Sequence, residues 1–157
     1  MRREKDVIRG VSFEVPQGMG KILYQMLKCI NVEEYIWYNI SEQEEVHASP
    51  PDDRFFEFDE YSGSEFLDLI RQECFIVFLK LQAYFTDGDF TNVHSYEEYQ
   101  KSDCQLVVLM YDCYYVYIYA KDEGITQALF ENALMCGYTK VAYISDDNDE
   151  RTGMDIR

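Results

Sequence analysis

Two hydrophobic periods run through the chain, and the strongest signal is the stretch at residues 104–120, CQLVVLMYDCYYVYIYA. Asp112 is its one charged residue, and Val, Ile and Tyr, which suit a pleated and half-buried surface, dominate it. The pattern predicts two strands, residues 104–110 and 115–120, joined by a tight turn at 111–114. The first is apolar nearly throughout, as expected where both faces are covered. In the second, Tyr115, Tyr117 and Tyr119 point one way and Val116 and Ile118 the other. A long buried helix is the competing reading, and the β-branched and aromatic content argues against it.

Earlier in the chain, Val7, Arg9, Val11, Phe13 and Val15 alternate as one strand face that Arg9 interrupts, so the strand is expected to begin properly near Gly10 and to end at Pro16. Met19, Ile22, Leu23, Met26, Leu27 and Ile30 then recur at helical spacing, which predicts a helix over residues 18–30. Residues 35–40, YIWYNI, read as a short strand. Residues 41–53, rich in Glu, Asp and Pro, read as an exposed loop, and residues 55–58 as an edge strand. Ser62 and Glu65 form a capping box that opens a helix to about Gln72. Residues 74–85, CFIVFLKLQAYF, form the second strong strand, with Lys80 and Gln82 placing one face partly in water. Thr86 to Asn92 form a loop with an Asp-Gly turn signal. A second capping box, Ser95 with Glu98, starts a short helix to about Lys101. Asp122 and Glu123 suit the start of a helix over residues 125–135 that Gly137 stops, and residues 140–144 are the last strand. Interleaved strands and helices without a linker or repeat predict one α+β domain over residues 1–157. Its sheet is mixed and mostly antiparallel, three main helices pack on it, and residues 1–8 and 146–157 are polar tails.

Composition sharpens this picture in one respect. Acids outnumber bases 30 to 14, for a net charge of −16, which repels nucleic acid and anionic membranes and steers basic partners inward. The 14 tyrosines suit edges and contact surfaces. The 5 cysteines are odd in number and lack a CxxC pair, which fits a reducing cytoplasm better than a disulfide frame. The basic N-terminus lacks a following apolar run, so no signal peptide is expected, and no apolar run is long enough to span a bilayer.

Catalytic and metal chemistry find no foothold in the sequence. GMGK lacks the spacing of a P-loop. His47 and His94 are far apart, and the cysteine spacing matches no zinc pattern. Asp146, Asn148 and Glu150 have the rhythm of an EF-hand loop, but Arg151 and Arg157 stand where Gly and Glu are required. Cys113 beside Asp112 is the thiol to test for reactivity, although an acidic neighbour raises a thiol pKa. No metal and no cofactor are expected.

The strings SDCQLVVLMYDCYYVYIYAKD, GVSFEVPQGMGKILYQMLKCI, FLKLQAYF and VAYISDDNDERTGMDIR together resemble an uncharacterised family of small proteins from Bacillus and relatives, domain of unknown function 2691. The similarity runs from about Gly10 to Thr152, and the family's closing stretch is matched at residues 144–152, with Glu150 where a small residue is expected. In size and acidity such proteins resemble the immunity proteins of bacterial toxin systems, an analogy that brings no catalytic motif.

The leading expectation is therefore a non-enzymatic acidic binding protein, of the immunity or inhibitor kind, that captures a basic partner such as a nuclease toxin. Contacts are expected from Glu42, Glu44, Glu45, Asp52 and Asp53, with Trp37 and Tyr38 as aromatic anchors. The alternative is a small-molecule binder or enzyme using Asp146, Asp149 and Arg151 at a strand end. A housekeeping protein without a dedicated partner surface is the third reading.

Overall fold

The computed structural model describes residues 7–48, 54–149, 151 and 153–156. Eight strands form one open sheet in which every pairing is antiparallel. They are β1 (Ile8–Glu14), β2 (Ile36–Asn39), β3 (Glu45–Ala48), β4 (Glu60–Tyr61), β5 (Cys74–Tyr84), β6 (Cys104–Tyr111), β7 (Tyr115–Ala120) and β8 (Thr139–Ser145). The spatial order is β4-β2-β5-β6-β7-β1-β8, and β3 pairs with the first half of β5. The helices are α1 (Ile22–Leu27), α2 (Gly63–Ile70), α3 (Tyr96–Lys101) and α4 (Glu123–Met135).

The alternation of each central strand sorts its side chains between two cores. Leu79, Leu81, Leu106, Val108, Val116 and Ile118 face the first, which α1, α2 and α4 cover with Leu23, Phe66, Ile70 and Leu129. Tyr84, Val107, Leu109 and Tyr119 face the second, which is closed by α3 and by Val93, Met154 and Ile156 from the flanking segments. β6 thus has both faces covered, as its unbroken apolar run predicts, and Tyr117 and Tyr119 lie on the face opposite Val116 and Ile118.

Local signals determine the helix ends. In α2 both halves of the Ser62–Glu65 capping box form. In α3 the Ser95 hydroxyl accepts from the Glu98 N–H, while the Glu98 carboxylate accepts from the N–H of His94. Asp122 caps α4 by accepting from the N–H groups of Gly124 and Ile125, and Gly137 follows the helix at φ 79°. The helix expected over residues 18–30 contracts to α1, because Gly20 exchanges both backbone hydrogen bonds with Cys74 and Gly18, at φ 130°, lies in a bend outside helical geometry.

Four expectations are corrected. The edge strand lies at β4, not at residues 55–58: Phe55 and Phe56 are both buried, and the Tyr61 hydroxyl accepts from the N–H groups of Glu57 and Phe58, bending that segment. The loop expected from residue 41 contains β3. Lys80 and Gln82 do not face water; both are fully buried in the second core. The closing segment is not a polar tail, since Met154 is buried and the Asp149 carboxylate is fully enclosed.

One bulge sets where Arg9 points. The β1–β8 register shifts between Ile8 and Gly10, which turns Arg9 to the second face, away from Val11 and Phe13. Gly10 next to it allows β1 to close on β7, since a Cβ there would lie 2.0 Å from the Ile118 carbonyl oxygen.

Candidate functional site

The β4–β2 edge of the sheet presents aromatic rings among carboxylates. Tyr38 on β2 stacks on Phe90 with centroids 4.3 Å apart and meets Tyr84 edge-on at 5.3 Å. Phe90 is 41% exposed, and Phe58, carried outward by the bend that Tyr61 anchors, is 62% exposed. Glu42, Glu57, Asp59 and Glu60 are exposed around them. No basic side chain among the described residues pairs with Glu42, Asp59 or Glu60. Burial, and after it the Glu60 carboxylate, push the Tyr38 hydroxyl above its ordinary pKa.

A cleft of about 290 Å³ opens between these groups, lined by Tyr38, Asn39, Glu42, Asp59, Phe90 and Asn92 among others. Asn39 donates its side-chain N–H to the Phe58 carbonyl and its backbone N–H to the Asp59 carbonyl. The side-chain oxygens of Asn39 and Asn92 are buried without a donor. An acceptor in that condition costs about 1–3 kcal/mol in desolvation.

The other residues expected at a partner surface fall elsewhere. Trp37 is fully buried, stacked on Phe66 at 4.4 Å, and its indole N–H donates to the Val32 carbonyl. It has no ring face to offer. Glu44 turns inward, one oxygen on Arg54 at 3.1 Å and the other buried without a donor. Burial pushes its carboxyl pKa up and Arg54 opposes this. Glu45 lies 3.2 Å from His47. Asp52 and Asp53 lie outside the described residues. Six of the 14 tyrosines, Tyr35, Tyr61, Tyr84, Tyr99, Tyr119 and Tyr138, are buried, and the others are half-buried.

Asp146, Asp149 and Arg151 do come together, as a brace. Arg9 Nε donates to Asp146 at 2.8 Å and Nη1 to Asp149 at 3.1 Å, with the guanidinium 3.9 Å over the Tyr96 ring. The Tyr119 hydroxyl and the Arg151 N–H also donate to Asp149. Arg151 lies over the rings of Tyr111 and Tyr117 and donates to the carbonyls of Gly153 and Asp155. These groups spend their hydrogen bonds on one another and on the closing segment.

A third cluster is not visible as a motif. Lys80 donates to the Val93 carbonyl and to Asp155 at 3.0 Å; Asp155 also meets His94 at 2.8 Å and accepts from Gln43 at 2.7 Å. Burial acts to raise the Asp155 carboxyl, but the hydrogen bonds from His94, Gln43 and Lys80 outweigh it and hold the pKa at about 2. Burial lowers the Lys80 pKa against the pull of Asp155. The ammonium is enclosed, so no substrate reaches it in this arrangement. The one trace in the sequence is Lys80 and Gln82 at alternate positions of an apolar strand.

The larger cleft, about 740 Å³, lies between the end of α1 and the start of α4, with Cys29, Tyr35, Phe85, Lys121 and Asp122 on its walls. Of its charged groups, Lys121 donates to the Ser102 carbonyl and Asp122 caps α4, while Glu34 is exposed. Among the described residues no group of three or more His, Cys, Asp or Glu could hold a metal ion. Burial pushes the thiols of Cys74 and Cys104 up to about 12, and all 5 cysteines are free. No helix of the described residues is long and apolar enough to cross a membrane.

The family model described as protein of unknown function (DUF2691) matches residues 8–155. The uncharacterized protein YncE of Bacillus subtilis (strain 168) is 34% identical over 152 residues, covering 94% of this chain and 99% of that one. No solved structure matches the chain.

Proposed function

We propose that this chain, which belongs to the family described as protein of unknown function (DUF2691), is a non-enzymatic acidic binding protein that captures a basic protein partner at the β4–β2 edge. One observation carries the reading: Phe58 and Phe90 stand exposed beside the carboxylates of Glu42, Asp59 and Glu60, which no basic side chain among the described residues neutralises. Exposed rings surrounded by charges of one sign form the core and rim of a protein contact. The net charge of −16 adds long-range steering toward a cationic surface. A nuclease, whose surface must follow phosphates, is a partner of that chemistry, and the immunity or inhibitor role is the corresponding biological reading. The ligand-binding alternative at Asp146, Asp149 and Arg151 has less support, because those side chains are engaged with Arg9, Tyr119 and the closing segment.

The test is affinity capture from native lysate at low and high salt, with wild-type protein and with a Phe58→Ser, Asp59→Lys, Glu60→Lys variant. A basic protein retained by the wild type at low salt, weakened by salt and lost with the variant, is the expected result. Recovery of no basic protein at either salt, or equal recovery by the variant, would remove the proposal.

A further inference from the structure

Four neighbouring strands share one end of the sheet: β2 and β6 begin there, and β5 and β7 finish there. The residues at those ends, Tyr35, Phe85, Gln105 and Lys121, form the base of the larger cleft, between the end of α1 and the start of α4. Its volume of about 740 Å³ suits a small molecule. Tyr35 is the unusual group in it. The residue is only 2% exposed, with its ring stacked on Phe85 at 5.5 Å and edge-on to Trp37 at 6.0 Å. Tyr61, Tyr84, Tyr99 and Tyr119, also buried, each place their hydroxyl on a partner. The Tyr35 hydroxyl has no hydrogen bond to any described residue, and it is not enclosed as the hydroxyl of Tyr138 is. A buried hydroxyl without a partner is costly, and native chains rarely keep one. Its electrostatic neighbours show where it points. Burial first, then the carboxylates of Glu34 and Asp122, push the phenol up to about 12, so it stays a neutral hydroxyl at physiological pH. Both carboxylates stand on the cleft walls. The hydroxyl therefore opens on the cleft.

Charge selects the occupant. Glu34 is exposed, and no basic side chain among the described residues pairs with it. Asp122 uses one oxygen, Oδ1, to cap α4, which answers the helix dipole and leaves Oδ2 over. Lys121, the one cation on the walls, is engaged with the Ser102 carbonyl and lies 5.2 Å over the Tyr99 ring. An anion would meet two carboxylates. A cation meets those carboxylates, a hydroxyl lone pair and the ring of Phe85, which is 40% exposed. A bare metal ion is the wrong cation, because no three carboxylate, imidazole or thiol groups among the described residues converge. Ile30, Ile125 and Ala128 add apolar wall. We infer that this cleft binds a small organic amine, its ammonium donating to the Tyr35 hydroxyl in the field of Glu34 and Asp122 and its apolar body against Phe85, Ile30 and Ile125. The cleft shares no residue with the aromatic edge at Phe58 and Phe90, and the assignment does not depend on the reading of that edge as a partner surface.

The test titrates the full chain, 15N-labelled, with phenethylamine and follows the backbone amide signals of Gln105 and Gly124 on the cleft walls. Phenethyl alcohol, neutral, and hydrocinnamate, anionic, serve as controls of similar size and shape. Saturable shifts of both amides by the amine are expected, with much weaker binding of the alcohol and none of the anion. Tyr35→Phe keeps the stacked ring and should weaken the amine roughly tenfold, the loss of one hydrogen bond to a charged group. The same variant should be as stable as the wild type in urea, since its hydroxyl has no partner in the fold to lose. Asp122→Asn keeps a helix cap of equal rank and should weaken the amine several-fold. Glu60→Gln, which removes the same charge outside the cleft, should leave binding unchanged. Equal response to amine and alcohol, or no saturable shift at Gln105 and Gly124, would overturn the assignment. So would wild-type binding by Tyr35→Phe, or a loss of its stability, which would place the hydroxyl in service of the fold. An equal loss from Glu60→Gln and Asp122→Asn would reduce the effect to the net charge of the chain and overturn it too.

Discussion

Lys80 and Asp155, 75 residues apart in the chain, meet at 3.0 Å on the second face of the sheet, and the lysine side chain has no exposed surface. A buried ammonium is tolerable only while its counter-charge is present, so the closing segment acts as the neutralising strap of this face. Ile156 reinforces the strap by donating its N–H to Gln43, which itself donates to Asp155.

Asp155→Asn should therefore destabilise the protein by about 1–3 kcal/mol, less than a fully enclosed pair because Asp155 reaches solvent. Lys80→Met in the same chain should recover part of that loss, since the double variant buries no unpaired charge. Urea denaturation of the two single variants and the double variant measures this. Strict additivity of the two substitutions would show that the pair is not coupled.

The same carboxyl predicts an acid limb. Its pKa is lowered from 3.8 to about 2 in the fold, so its contribution is fully present above the unfolded value and fades as pH falls through the folded one. Stability of the wild type should decline between those two values by an amount on the order of 1 kcal/mol, discounted for the partial exposure of Asp155. In Asp155→Asn that component of the decline should be missing. Chemical denaturation repeated across acidic pH distinguishes the two curves.

Arg9 is predicted to be irreplaceable by lysine. Its Nε and Nη1 serve Asp146 and Asp149 separately while its plane covers Tyr96, a division that a single ammonium cannot reproduce. Arg9→Met strands the enclosed Asp149 carboxylate and should cost about 2–4 kcal/mol. Arg9→Lys should restore less than half of that. Tyr119→Phe removes one donor from the same carboxylate and should cost about 1 kcal/mol. Thermal and urea denaturation report all three, and a lysine variant as stable as the wild type would contradict the geometry.

What could be read from residues alone was whatever depends on near neighbours. The Ser62–Glu65 box, the Asp122 cap, the alternation through Tyr115, Tyr117 and Tyr119 and the α+β class are all of this kind. The buried state of Lys80 was not legible, because its neutraliser is supplied from the far end of the fold. β3 was hidden because the Glu and Pro around it outweigh the brief apolar signal of Val46 and Ala48. At the candidate site, Tyr38 and Glu42 were found by composition. Phe58, Phe90, Asn39 and Asn92 were not, since an exposed phenylalanine and an unpartnered amide oxygen are properties of packing rather than of sequence. Trp37 misled for the same reason: a lone tryptophan marks a large contact area but not which side of the surface it lies on.

The order in which the ribosome delivers these residues has its own consequence. Lys80 emerges 75 residues ahead of its carboxylate, an interval of roughly 4–15 s at ordinary elongation rates. Until Asp155 has been translated, Lys80 has no carboxylate to meet when the second face closes, so that face is expected to pack last, after α1, α2 and α4 have been made.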